Sequence, residues 1–92
     1  MIVRILNEGQ YSLRGIYLDR LNKLDNQIVS VLASRDEKAF RNLLGEMLDV
    51  VRQRGKPLPV DELVESDLIL PSPDITLQEA KRLFTGEGLI PG

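Results

Sequence analysis

The stretch RGIYLDRLNKLDNQIVSVLASRDEKAFRNLLGEMLDVVRQRG, residues 14–55, decides the fold. In its first half Leu18, Leu21, Leu24, Ile28, Val31 and Leu32 recur at steps of three and four, which places them on one face of a 3.6-residue helix. Asp19, Arg20, Lys23, Asp25 and Asn26 fall between them, and Asp19 with Lys23 has the favourable i,i+4 order of an ion pair. The second half repeats the pattern with Phe40, Leu43, Leu44, Met47, Leu48, Val50 and Val51. Between the halves, Ser34 and Glu37 have the Ser-x-x-Glu spacing of a capping box, with Asp36 as a competing cap. Asp36 and Glu37 suit the positive end of the second helix, and Arg52, Arg54 and Lys56 its negative end. Gly55 and then Pro57 supply the stop. So short a link makes the helices antiparallel, and residues 14–55 read as a helical hairpin.

Outward from the hairpin the chain changes period. Residues 1–6, with Ile2, Val3, Ile5 and Leu6 around Arg4, read as a mostly buried strand. Asn7-Glu8-Gly9 is turn chemistry tolerant of positive φ, and residues 10–13 return as a short second strand across a three-residue loop. On the far side, Lys56-Pro57-Leu58-Pro59 is an extended break. Residues 61–65 suit one helical turn, and residues 67–70 a third strand closed by Pro71 and Pro73. A third helix is expected over residues 77–84, opened by a Thr76–Glu79 capping box and stapled by Ile75 against Ala80. Gly86 would end it. The fold class expected is α+β: an antiparallel helical hairpin with two or three short strands and a small third helix.

Ninety-two residues give one domain, with residues 1–13 as strand or hairpin, 14–55 as helical hairpin and 56–92 as loop, strand, helix and tail. Hydrophobic residues at 42% and charged residues at 28% are those of a folded soluble chain. A net charge of −2 and a pI near 5.1 argue against a dedicated nucleic-acid binder, which needs a basic excess. There is no cysteine and no histidine. Thiolate chemistry is thereby excluded, and the usual general base and commonest transition-metal ligand are missing. No apolar run reaches the length of a membrane span, and no secretory signal is read at Met1, so a cytoplasmic location is expected.

Candidate chemistry is sparse. Asp61, Glu62, Glu65 and Asp67 form an acidic run without the alternation and turn glycine of a calcium loop, and read as a solvated turn. Arg52, Arg54 and Lys56 suit a phosphate, but their place in a last helical turn already accounts for them. The glycine clusters lack a phosphate-loop ending, and no serine elbow is present. Neither a catalytic residue, a cofactor nor a metal is expected. Two features suit a partner instead. Gly45 lies inside the second helix, away from the apolar stripe, where glycine costs about 1 kcal/mol against alanine unless another backbone approaches. Leu68, Ile69 and Leu70, with Leu89 and Ile90, are short apolar runs that either complete the core or remain exposed for docking.

The opening Met1-Ile-Val-Arg-Ile-Leu-Asn-Glu-Gly-Gln-Tyr11 resembles the start of the PspA-associated domain family, PspAA. Leu21-Asn-Lys-Leu-Asp25, Asp36-Glu-Lys-Ala-Phe40, Arg54-Gly-Lys-Pro-Leu-Pro59, Asp67-Leu-Ile-Leu-Pro71, residues 74–79 and Gly88-Leu-Ile-Pro-Gly92 continue the resemblance collinearly. It implies a small accessory protein of the phage-shock, membrane-stress system, with no catalytic residues to carry over. The partner implied is PspA, a peripheral membrane protein built as a long helical hairpin, through which the membrane would be reached indirectly. The expected function is a non-enzymatic regulatory module binding PspA-type proteins. The alternative is a transcription-linked or nucleic-acid-binding adaptor.

Overall fold

The computed structural model describes residues 1–62 and 64–84. The two periodic stretches form α1 (Leu18–Ala33) and α2 (Glu37–Arg54), entered by a single 3-10 turn over Gly15–Tyr17. That turn delays the expected helix start. Their apolar stripes face each other, with Leu21, Leu24, Ile28 and Leu32 of α1 buried and Phe40, Leu44, Met47, Leu48 and Val51 of α2 beside them.

The link differs from the capping box expected at Ser34. Asp36 is the N-cap, its Oδ1 accepting from the Ala39 amide at 3.1 Å. The Ser34 hydroxyl instead donates back to the Val31 carbonyl. Arg35 holds φ 58°, while its amide donates to the Leu32 carbonyl and that of Asp36 to the Val31 carbonyl. This closes α1 as a Schellman motif with an arginine in the place that glycine usually takes. Asp19 and Lys23 form no ion pair, for those among the described residues join Glu37 to Arg41, Glu8 to Arg52 and Asp49 to Arg52.

Four strands build the second layer: β1 (Ile2–Ile5), β2 (Gly9–Ser12), β3 (Lys56–Pro57) and β4 (Leu68–Leu70), in the order β3-β2-β1-β4. β1 pairs antiparallel with β2, from Ile2↔Ser12 to Ile5↔Gly9, so three residues form the loop. Asn7 there takes φ 66° and Gly9 φ 138°, the left-handed region that Asn and Gly tolerate. β4 joins the other side of β1 in parallel, Val3↔Leu68 to Ile5↔Leu70. Because side chains alternate along a strand, Val3, Ile5, Leu68 and Leu70 all enter the core under the hairpin, whereas Arg4 and Ile69 face outward. The extended break after α2 is itself a strand: β3 pairs antiparallel with β2 at Tyr11↔Pro57 and Ser12↔Lys56. No helical turn forms at the described positions 61, 62, 64 and 65. The chain turns at 60–61 instead.

Gly55 ends α2 in extended backbone, φ −89° and ψ 159°, so a left-handed conformation does not explain it. Close approach does. A Cβ at this position would lie 2.5 Å from the Val51 carbonyl oxygen and 3.0 Å from Tyr11 Cβ. Gly55→Ala is therefore expected to cost about 2 kcal/mol through overpacking between α2 and β2. Urea titration checks it, with a lower midpoint at unchanged slope as the expected result.

α3 (Leu77–Leu83) begins at Thr76 with the full capping box: the Thr76 hydroxyl accepts from the Glu79 amide, and the Thr76 amide donates to the Glu79 carboxylate. Ile75 and Ala80 are both buried in the same core. Phe84 completes the docking of α3, its ring edge-on to Phe40 with centroids 6.4 Å apart. Among the described residues three α-helices and a four-stranded sheet make the fold α+β.

Candidate functional site

The apolar run Leu68-Ile69-Leu70 divides by strand alternation. Leu68 and Leu70 are buried, and Ile69 is 51% exposed. Of the three, Ile69 is the one a partner can touch. It sits at the centre of β4, a terminal strand of the sheet. The edge is short, and Asp67 ties its start to β1, its carboxylate accepting from the Ile2 amide at 2.7 Å while its own amide donates to the Ile2 carbonyl. A strand this short restrains indiscriminate edge pairing. Gly45 lies half-exposed on α2, and a Cβ there would meet nothing within 4 Å. Its helical neighbours at i−3 and i+4, Asn42 and Asp49, are exposed. Leu89 and Ile90 lie outside the described residues.

A shallow groove of about 560 Å³ opens where the β1–β2 loop, the segment after β4 and α3 meet. Leu6, Ile75 and Leu83 supply its apolar lining; Asp74, Glu79 and Arg82 its charge. Leu6 and Leu83 remain 40% and 44% exposed. The carboxylates here are already engaged. Glu79 is held in the cap of α3, and the Ser72 hydroxyl donates to Asp74 at 2.6 Å, keeping the Asp74 pKa below its ordinary value. The sequence does not separate Ile69 from Leu68 and Leu70, all three being apolar, and nothing local indicates that Leu6 and Leu83, 77 positions apart, share a groove.

The basic end of α2 is divided as well. Arg52 grips Glu8 with two nitrogens, at 2.9 Å from Nε and 2.7 Å from Nη2, and Tyr11 donates its hydroxyl to the same carboxylate at 2.7 Å. Asp49 lies 3.5 Å from the third guanidinium nitrogen. The loop between β1 and β2 is thus clamped to α2, and Arg52 is occupied in holding it. The Arg52 guanidinium, then the Tyr11 hydroxyl, hold the Glu8 pKa below its ordinary value, and Glu8 raises that of Tyr11. A depressed carboxylate pKa stabilises the fold above the unfolded-state value and loses that contribution as pH falls through the folded one. Glu8→Gln is expected to cost about 1 kcal/mol at neutral pH, the upper range for a partly exposed pair. The gap from the parent should close on acidification below the ordinary carboxylate range. Denaturation at several pH values tests this.

Among the described residues no three acidic side chains converge as a metal site, and the buried Gln10 side chain donates its amide to the Val64 carbonyl and the Ser66 hydroxyl. No helix among them is long and apolar enough to cross a membrane. What the surface offers is contact: an exposed aliphatic on an edge strand, a half-apolar groove and an open position on a long helix.

A family model described as PspA-Associated protein matches residues 1–92, the whole chain. No curated protein and no solved structure matches it.

Proposed function

This chain belongs to the PspA-associated protein family, and we propose that it is a non-enzymatic accessory module that binds a PspA-type protein and regulates its part in the membrane-stress response. The observation that carries the reading is the family match, which extends over all 92 residues. The surface is compatible with it in two places. Ile69 and the neighbouring groove at Leu6 and Leu83 offer aliphatic contact in a polar surround, the usual form of a small docking patch. Gly45 leaves room on α2 for another helix to approach closely. Through this partner the module would reach the membrane from the cytoplasm.

Gly45→Ala separates the roles of that glycine. The added methyl meets open space, so the helix is expected to gain about 1 kcal/mol of stability. If a partner helix lies against Gly45, the same methyl lowers retention on an immobilised PspA homologue. Ile69→Lys is expected to weaken retention at least about tenfold, the effect of losing one buried anchor, while leaving the thermal midpoint unchanged. Undiminished retention of both variants would place the contact elsewhere on the molecule. No retention of the parent chain at micromolar concentration would overturn the reading.

The nucleic-acid alternative finds no recognition helix in α2. The exposed positions of α2 mix Lys38 and Asn42 with Glu46 and Asp49, unlike a recognition helix, and Arg52 is committed to Glu8.

A further inference from the structure

We propose that the corner where α1 begins and α2 ends is a docking surface for an anionic lipid bilayer, a direct contact in addition to any made through a protein partner. Ile16, in the 3-10 turn, is 67% exposed, and Leu18, at the start of α1, is 39% exposed. They flank half-buried Tyr17 on a short, hydrogen-bonded turn in which the Tyr17 amide donates to the Arg14 carbonyl. Two exposed aliphatics this close in the chain, with Tyr17 between them, make a small apolar patch rather than a single scattered residue, and patches rimmed by polar residues mark interaction sites.

Cations surround them. Arg20 and Arg54 line one small cleft of about 130 Å³ with Tyr17, Val50 and Gln53. Lys56 is paired in register with Ser12, two residues before Arg14, which brings both to the same corner. All four cations are exposed, and among the described residues none is in an ion pair. Asp19 is the one acid within residues 14–20 and 53–56. In a chain of net charge −2, this corner therefore carries a local excess of three positive charges, from four cations and one acid, and the remainder is correspondingly acidic.

Charge and shape together favour a bilayer. A cleft between two guanidiniums suits a phosphate-sized group and is far too small for a partner helix. The aliphatic pair beside it suits insertion at the headgroup boundary, the combination by which interfacial segments bind anionic membranes. Nucleic acid is less well matched. It gains nothing from Ile16 and Leu18, and Tyr17 is the one aromatic residue within residues 14–20 and 53–56, too few for a stacking platform.

Flotation of the full chain with vesicles tests the proposal. Phosphatidylcholine vesicles containing phosphatidylglycerol are compared with phosphatidylcholine alone, at low and at raised salt. The chain is expected to float with the anionic vesicles, to remain behind with the neutral ones, and to be released as salt rises. Arg54→Gln and Arg20→Gln should each lower partitioning about fivefold, and Ile16→Ser about tenfold. Lys38→Gln, an exposed cation in the first turn of α2, at the opposite end of that helix from the corner, should leave it unchanged. These side chains are exposed, so the variants are expected to fold, and circular dichroism verifies that before flotation. Equal partitioning to both vesicle types, equal loss in Lys38→Gln, or failure to float would overturn the proposal. So would a gel shift of double-stranded DNA that depends on Arg20 and Arg54 in a chain that ignores vesicles.

Discussion

Replacing Phe40 with alanine is expected to destabilise the fold by about 3–5 kcal/mol. The side chain is completely buried in the core at the start of α2. Its ring lies edge-on to Phe84 at an interplanar angle of 81°, and the Arg41 guanidinium sits 5.3 Å from its centroid. Arg41 in turn donates to the Pro73 carbonyl, so one residue pair ties α2 to the segment that leads into α3. Truncation removes the transfer energy, leaves a cavity and takes away the aromatic contact, which is itself worth about 0.5–1.5 kcal/mol. Small domains have about 5–15 kcal/mol in total, so the variant is expected to be close to unfolding at physiological temperature. Urea titration measures it directly, and Phe40→Leu should recover most of the loss. A cost under about 1 kcal/mol in Phe40→Ala would show that α3 is not docked as described.

Asp25→Ala is expected to cost about 3 kcal/mol, although it removes one small polar side chain from a helix. Asp25 is 0% exposed, and no buried polar side-chain atom among the described residues lacks a partner. It follows Leu21 by four residues and precedes Ile28 by three, which puts it on the buried stripe of α1 rather than on its solvent face. Alanine would strand the groups that now satisfy the carboxylate, and an unsatisfied buried group costs more than the lost bond itself. Asn should be the milder substitute, because it keeps an acceptor oxygen of the same shape. Lys23→Ala, two residues away and exposed, should change stability by no more than about 0.5 kcal/mol. Equal behaviour of Asp25→Ala and Lys23→Ala in denaturation would contradict the burial.

Asp25 also shows how sequence reading went astray. Its spacing placed it among the leucines, but its charge caused it to be read with the solvent-facing residues. Periodicity was the better guide. The helical hairpin, the strand character of β1, the turn after it and the Thr76–Glu79 cap are legible in the sequence, because each depends on residues a few positions apart. β3 was not, since two residues around a proline acquire strand character only by pairing with β2. Arg35 gave no sign of its left-handed backbone, which the antiparallel return of α2 imposes. The clamp of Glu8 on Arg52 spans 44 positions and has no local signature. Of the candidate contact residues, alternation alone separates Ile69 from Leu68 and Leu70, once the strand is paired. Gly45 was legible as a helix glycine without a packing reason. Ile16 lies inside the stretch expected as the helical hairpin, and the structure holds it exposed in the 3-10 turn that precedes α1.

The measurement that tests the central claim most directly is size-exclusion chromatography with light scattering on the chain alone and mixed with the PspA homologue from the same cell. An accessory module that binds PspA predicts a shared peak whose mass includes both proteins. Two peaks, each at the mass of its own protein, would contradict it.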